Sequence, residues 1–224
     1  MSFKSKYFSF NGKVGTTLDL TRQDSNCIDS CDVSTICYNS KGQPIMNKKY
    51  IKKMKKNFKL INSNKFIIKI RKEILKHNLH QIRIFSNGDI IFNDFKKSDI
   101  QLKNIFGLCR SIKRDFWITT KNQNALFSYL TNNKKPENLN IMLSVNKKDL
   151  NPGFLNYCHS LKIQLSYITD NKKESNCLAS KSKKKNNSCV DNNCNKCQIY
   201  DKNPRIWYIH SGYKKKFQEL KLLN

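Results

Sequence analysis

Apolar and polar positions alternate with two different periods along this chain. Over residues 48–61, Ile51, Met54, Phe58 and Ile61 recur at helical spacing with lysines on nearly every other position, which predicts an amphipathic, basic helix. Residues 64–77 (NKFIIKIRKEILKH) read as a second helix. From there short β-type runs take over at 82–92 (IRIFSNGDIIF), 115–121 (DFWITTK), 139–145 (LNIMLSV) and 161–169 (LKIQLSYIT). Between the first two, Ile100, Ile105, Leu108 and Ile112 return to a helical period, and the other gaps are long enough for crossovers. Strands alternating with helical segments predict βαβ units and a parallel sheet. A run at 205–210 (RIWYIH) adds a last strand before a C-terminal helix over about 213–223. No internal repeat stands out, so one α/β domain over 1–224, open or closed into a partial (β/α) barrel, is the expectation.

Composition changes this picture in one respect. The chain carries 43 Lys and Arg against 16 acids, a net charge of +27, and a field of that sign attracts phosphate polyanions or anionic surfaces. Part of the excess accompanies a richness in Asn and Ile, the mark of an AT-rich coding sequence. On the 48–61 helix no arginine or aromatic is interleaved on the basic face for base contacts, so its lysines read first as solvated. No run approaches the roughly 18 apolar residues of a membrane span. The N-terminus (MSFKSKYFSFNGKVGTTL) has no apolar core segment or cleavage site of a secretory signal, and a cytoplasmic protein is expected. In a reducing compartment nine cysteines are a poor disulfide framework, and NTPase, serine hydrolase and zincin motifs are missing.

The cysteines carry the candidate chemistry. Cys27-x3-Cys31-x5-Cys37 places three thiols among polar neighbours, where packing does not explain them. Three ligands leave a coordination position open for chemistry, unless His210, His159 or a later cysteine closes the shell. A second group, Cys177, Cys189, Cys194 and Cys197, lies in a polar, lysine-rich loop at 176–204 that has no apolar core of its own. Cys194-x2-Cys197 is the spacing at which a short turn aims two thiolates at one ion, and four thiolates suit zinc or an iron–sulfur cluster. Cys109 reads as a small buried side chain, and Cys158 and His159, being adjacent, point apart. Asn87-Gly88 is a hairpin-turn signal that competes with any site role for Asp89.

In order along the chain these elements resemble the phage gene product 88 family. The residues that carry the resemblance are the cysteine triplet with Tyr38, then Arg83, Gly88 and Asp89, then Trp117, Thr119, Thr120 and Lys121, then Ser144, then the late cysteines and His210. The order is similar, more distantly, to radical S-adenosylmethionine enzymes, which are partial (β/α)6 barrels. That resemblance implies an iron–sulfur cluster on Cys27, Cys31 and Cys37 and S-adenosylmethionine near Gly88, Thr120 and Ser144. It further implies site roles for Asp89 and Lys121 at the barrel mouth, and an auxiliary cluster or zinc on Cys177, Cys189, Cys194, Cys197 and His210. The second gap of the triplet is five residues here, against two in those enzymes. Two function classes follow from the residues: a radical-type metalloenzyme of unnamed substrate, or a zinc-stabilised basic protein that binds nucleic acid without catalysis.

Overall fold

A computed structural model describes residues 4–11, 15–22, 24–26, 47–176 and 200–208. Seven strands form one sheet whose spatial order is their chain order: β1 (Phe8–Asn11), β2 (Gly15–Leu18), β3 (Gln81–Ile84), β4 (Asp115–Thr120), β5 (Leu139–Ser144), β6 (Ile163–Thr169) and β7 (Arg205–Tyr208). β1 and β2 pair antiparallel, and every later pair is parallel. The helices are α1 (Lys48–Ile61), α2 (Phe66–Lys76), α3 (Phe95–Ser111), α4 (Gln123–Asn132) and α5 (Pro152–Ser160). Parallel neighbours need a crossover, and these helices supply it from β2 to β6. The α/β class and the parallel sheet read from the sequence are therefore present. Among the described residues no strand pair closes the sheet on itself.

Three asparagines serve as helix starts. Asn47, Asn122 and Asn151 accept from the backbone N–H of Tyr50 (3.1 Å), Ala125 (3.1 Å) and Phe154 (2.9 Å), and Asp94 does the same for Lys97 (2.9 Å). Pro152 follows Asn151 at the first turn of α5, where its missing N–H costs nothing. The basic helix docks as expected: Met54, Leu60 and Ile61 are buried, Ile51 and Phe58 half-buried, and Lys48, Lys49, Lys52, Lys55, Lys56 and Lys59 exposed. The core lies between the helices and one sheet face, where Ile82, Ile84, Phe116, Ile118, Ile141 and Leu165 meet Ile70, Ile105, Phe106 and Leu126.

Three expectations need correction. The run 82–92 is not one strand, because β3 stops at Ile84 and Phe85 takes a left-handed φ of 64°. Ile90 and Ile91 are buried as loop residues instead. Gln101 Oε1 accepts from Ile91 N (2.9 Å) and Asn122 Nδ2 donates to Ile91 O (2.8 Å), replacing ladder bonds. Asn87-Gly88 makes no hairpin, since the next strand, β4, runs parallel to β3. The helix expected from about residue 100 begins at Phe95, and the β1–β2 hairpin was not anticipated. Residues 209–210 of the last predicted strand and the C-terminal helix at 213–223 lie outside the described residues.

Two glycines with positive φ test how the turn after β3 is built. A Cβ on Gly88 (φ +78°) would lie 2.8 Å from Leu20 Cβ and 2.9 Å from Leu20 O, whereas one on Gly15 (φ +81°) would meet nothing within 4 Å. Gly15→Ala should cost about 1 kcal/mol, the left-handed penalty alone. Gly88→Ala should cost at least about twice that, because backbone must also move. Urea unfolding of both variants checks this, and equal losses would contradict the packing described.

Candidate functional site at the carboxyl ends of the strands

One residue past the end of β2, the carboxylate of Asp19 is 2% exposed and gathers five hydrogen bonds. Ser86 N (2.8 Å), Ser86 Oγ (2.7 Å) and Asn87 N (3.0 Å) donate to Oδ1. Thr17 Oγ1 (2.6 Å) and Tyr50 OH (2.8 Å) donate to Oδ2. A buried charge is tolerated when its lone pairs are filled in this way. Asp19 thus joins β2, the turn after β3 and α1 at one point. Backbone bonds extend the seam: Leu20 N donates to Asn87 O (3.0 Å), Phe85 N to Leu18 O (2.9 Å) and Phe92 N to Ser25 O (3.1 Å). Asn57 Nδ2, buried on α1, donates to Asp19 O (3.0 Å) and Tyr7 O (2.9 Å). Asn26 ends this seam, its Nδ2 donating to Phe92 O (3.4 Å), and the sequence runs on from it into Cys27.

A second buried carboxylate clamps the next strand end. Asp89 accepts from Thr120 Oγ1 (2.5 Å) and Ile90 N (2.7 Å) on Oδ1 and from Lys121 N (2.8 Å) on Oδ2. Thr120 Oγ1 in turn accepts from Asn122 N (3.0 Å). The structure therefore brings Gly88, Asp89, Thr120 and Lys121 together where β3 and β4 end. Burial raises the Asp89 carboxyl to about 6 despite these donors. A carboxylate held near neutrality at a strand end is the kind of group that exchanges protons.

Ser144 stands apart from that cluster. Thr120 is in register with Leu143, so Ser144, the next residue, lies on the opposite sheet face, in register with Ser166. Cys109 and Cys158 are buried free thiols, and burial pushes the Cys158 thiol up to about 11 and that of Cys109 higher still. His159 faces the other way, its Nε2 3.0 Å from Lys202 O. Cys27, Cys31, Cys37, Cys177, Cys189, Cys194, Cys197 and His210 lie outside the described residues. Among the described residues no group of His, Cys, Asp or Glu is arranged to hold a metal ion. Asp19 escaped the sequence reading. Its only signal is a lone acid after the short run GTTL, just ahead of the cysteine triplet.

The Asp89 clamp has a pH signature. Its folded carboxyl titrates near 6 against about 3.9 unfolded, so between these values the native state holds a proton that the unfolded chain has released. The contribution of Asp89 is full below about pH 4 and falls by about 3 kcal/mol as pH rises through 6. Asp89→Asn removes that dependence, so the stability advantage of the wild type over the variant should shrink from pH 4 to pH 7. A difference that stays flat in denaturant titrations across this range would contradict the buried, protonatable carboxyl.

No helix among the described residues is long and apolar enough to cross a membrane. Neither a curated protein nor a solved structure matches the chain. The family model described as Gene product 88 does match, over residues 6–207, a span that runs from just before β1 to β7 and takes in both carboxylate clamps and both cysteine groups. The chain belongs to the Gene product 88 family.

Proposed function

We propose that this chain is a metal-binding, iron–sulfur protein of the radical S-adenosylmethionine type, its substrate unnamed, on a sheet curved into a partial (β/α) barrel. Cys27, Cys31 and Cys37 would hold the cluster, and Cys177, Cys189, Cys194 and Cys197, with His210, an auxiliary cluster or zinc. The observation that carries the reading is the seam ending at Asn26. It ties the chain segment that enters the triplet to the carboxyl ends of β2 and β3, where ligands of parallel sheets bind. The donor set fits as well, since three thiolates bind three irons of a cubane and leave the fourth for a substrate or cofactor. When bound and reduced, such a cluster supplies one electron to S-adenosylmethionine.

The remaining roles belong to the protein. Gly88 and Thr120 would bind the cofactor beside the cluster, with Ser144 serving it from the other sheet face. Asp89, titrating near neutrality, and Lys121 would move protons there. The resulting site would be buried against the α1 seam rather than open to bulk water.

A second reading rests on a different observation, the row of exposed lysines on α1. On it, zinc on the same cysteines stabilises a basic protein that binds nucleic acid without catalysis.

Protein purified without oxygen should contain iron and acid-labile sulfide at about four each per cluster, lost when Cys27, Cys31 and Cys37 are all replaced by Ala. Zinc alone, with polynucleotide affinity that falls steeply between about 50 and 200 mM salt, would give the second reading first place. Protein free of metal that remains folded in chelator would sink both.

A further inference from the structure

The sheet face away from the helices is not apolar. Parallel register aligns Thr17, Arg83, Trp117 and Asn140 in one row across β2 to β5. A second row, one step along, aligns Thr119, Met142 and Gln164. These residues alternate with the core positions Ile82, Ile118, Ile141 and Leu165, so they share the opposite face. Trp117 is 4% exposed, Asn140 6%, and Met142 and Gln164 0%. Arg83 and Thr119 are half-buried, and every polar group left unpaired on such a face costs stability.

The pattern of pairing is informative. The Arg83 guanidinium stacks on the Trp117 ring, 4.5 Å from its centroid, and among the described residues no carboxylate pairs with it. Its buried Nε has no hydrogen-bond partner, and neither has Thr119 Oγ1 or Gln164 Nε2. Gln164 spends its carbonyl on Asn140 Nδ2 (3.2 Å), which leaves the amide nitrogen as the unfilled end. All three unfilled groups can donate, and one carries a positive charge. A hydrocarbon would leave every one of them unsatisfied and a cation would leave the Arg83 and Gln164 nitrogens so; an oxyanion would satisfy all three. The stack on Trp117 holds the guanidinium fork in place, which lowers the entropic cost of gripping a carboxylate or phosphate. Arg83 and Gln164 are three strands apart, on the order of 14 Å along the sheet, so the two ends suit an organic molecule rather than a bare ion.

We propose that this face of β3 to β6, which carries no helix among the described residues, is a binding site for a small organic oxyanion of about mononucleotide size. Arg83 grips the phosphate or carboxylate over Trp117, and Thr119 and Gln164 donate to oxygens further along. The site uses no cysteine and does not depend on the metal reading. It is also separate from the exposed lysines of α1, which lie on an element packed on the other side of the sheet.

Calorimetric titration of the full chain with adenosine monophosphate, inorganic phosphate and citrate tests this, with thermal melting of the same samples. At least one organic probe should bind saturably and raise the melting temperature. Phosphate-type binding shows as adenosine monophosphate over citrate, and carboxylate-type binding as the reverse. Arg83→Met and Gln164→Leu should each weaken binding roughly tenfold or more. The ligand-free melting temperature of Arg83→Met should hold or rise, because it removes an unfilled buried donor, whereas Gln164→Leu also takes the acceptor from Asn140 Nδ2 and should lower it slightly. Arg83→Lys, keeping charge but losing the fork, should fall between. Absence of saturable binding by all three probes overturns the proposal. So does binding that both variants leave unchanged, or a large drop in the ligand-free melting temperature of both, which would mark the face as packed scaffold.

Discussion

The buried carboxylate of Asp19 is the constraint on which the carboxyl end of this sheet depends. Two backbone N–H groups and three hydroxyls from β2, the turn after β3 and α1 converge on it. Ser86 and Asn87 lie outside the strands and helices, so losing the carboxylate would take the acceptor from two buried backbone donors at once. Strand pairing alone holds β2 and β3 over only three residue pairs, Thr16–Ile82 to Leu18–Ile84. Beyond that the seam is held by Asp19, by Leu20 N on Asn87 O and by the close contact of Gly88 with Leu20. A side chain at Gly88 would push these two segments apart, which is why glycine is required there.

Asp19 and Asp89 show two ways of burying an acid. Asp19 takes three hydroxyls and two backbone N–H groups, and Asp89 takes Thr120 Oγ1 and two backbone N–H groups. Burial raises the Asp89 carboxyl to about 6. Both serve the same end of the sheet, one at the β2–β3 boundary and one at β3–β4. The two faces of the sheet are likewise unequal. One is an aliphatic and aromatic core under α1 to α4, and the other carries Arg83, Trp117, Asn140 and Gln164. Sequential strand order with helical crossovers places the helices on a single face when the crossovers share one hand, and leaves the other for something else to fill.

How much of this was legible depends on whether a signal is local. The parallel strands and α1 were readable because their core-facing apolar side chains recur at a simple period: Ile82 and Ile84, Ile141 and Leu143, Met54 and Ile61. The cluster of Gly88, Asp89, Thr120 and Lys121 was anticipated from the resemblance, and the structure brings those four together. The β1–β2 hairpin was missed because its strands are four residues long and rich in Ser and Thr. The early end of β3 depends on Phe85 turning left-handed, which nothing about a phenylalanine announces. That Thr120 and Ser144 occupy opposite faces is a matter of register between two strands, and register cannot be read from either strand alone. Asp19 was invisible for the same reason, since all its partners but Thr17 are at least 31 residues away.

Native-state hydrogen exchange tests the central claim, that the carboxyl ends of β2, β3 and β4 form a preorganised platform rather than a set of loops. The amides of Ser86, Asn87 and Lys121 donate to buried carboxylates, although all three lie outside the strands. They should exchange as slowly as the core amides of β4 and β5, through global unfolding. If they exchange at the rate of exposed residues such as Lys148 and Lys172, the two clamps do not hold the platform, and the structural basis for a site at this end of the sheet is lost.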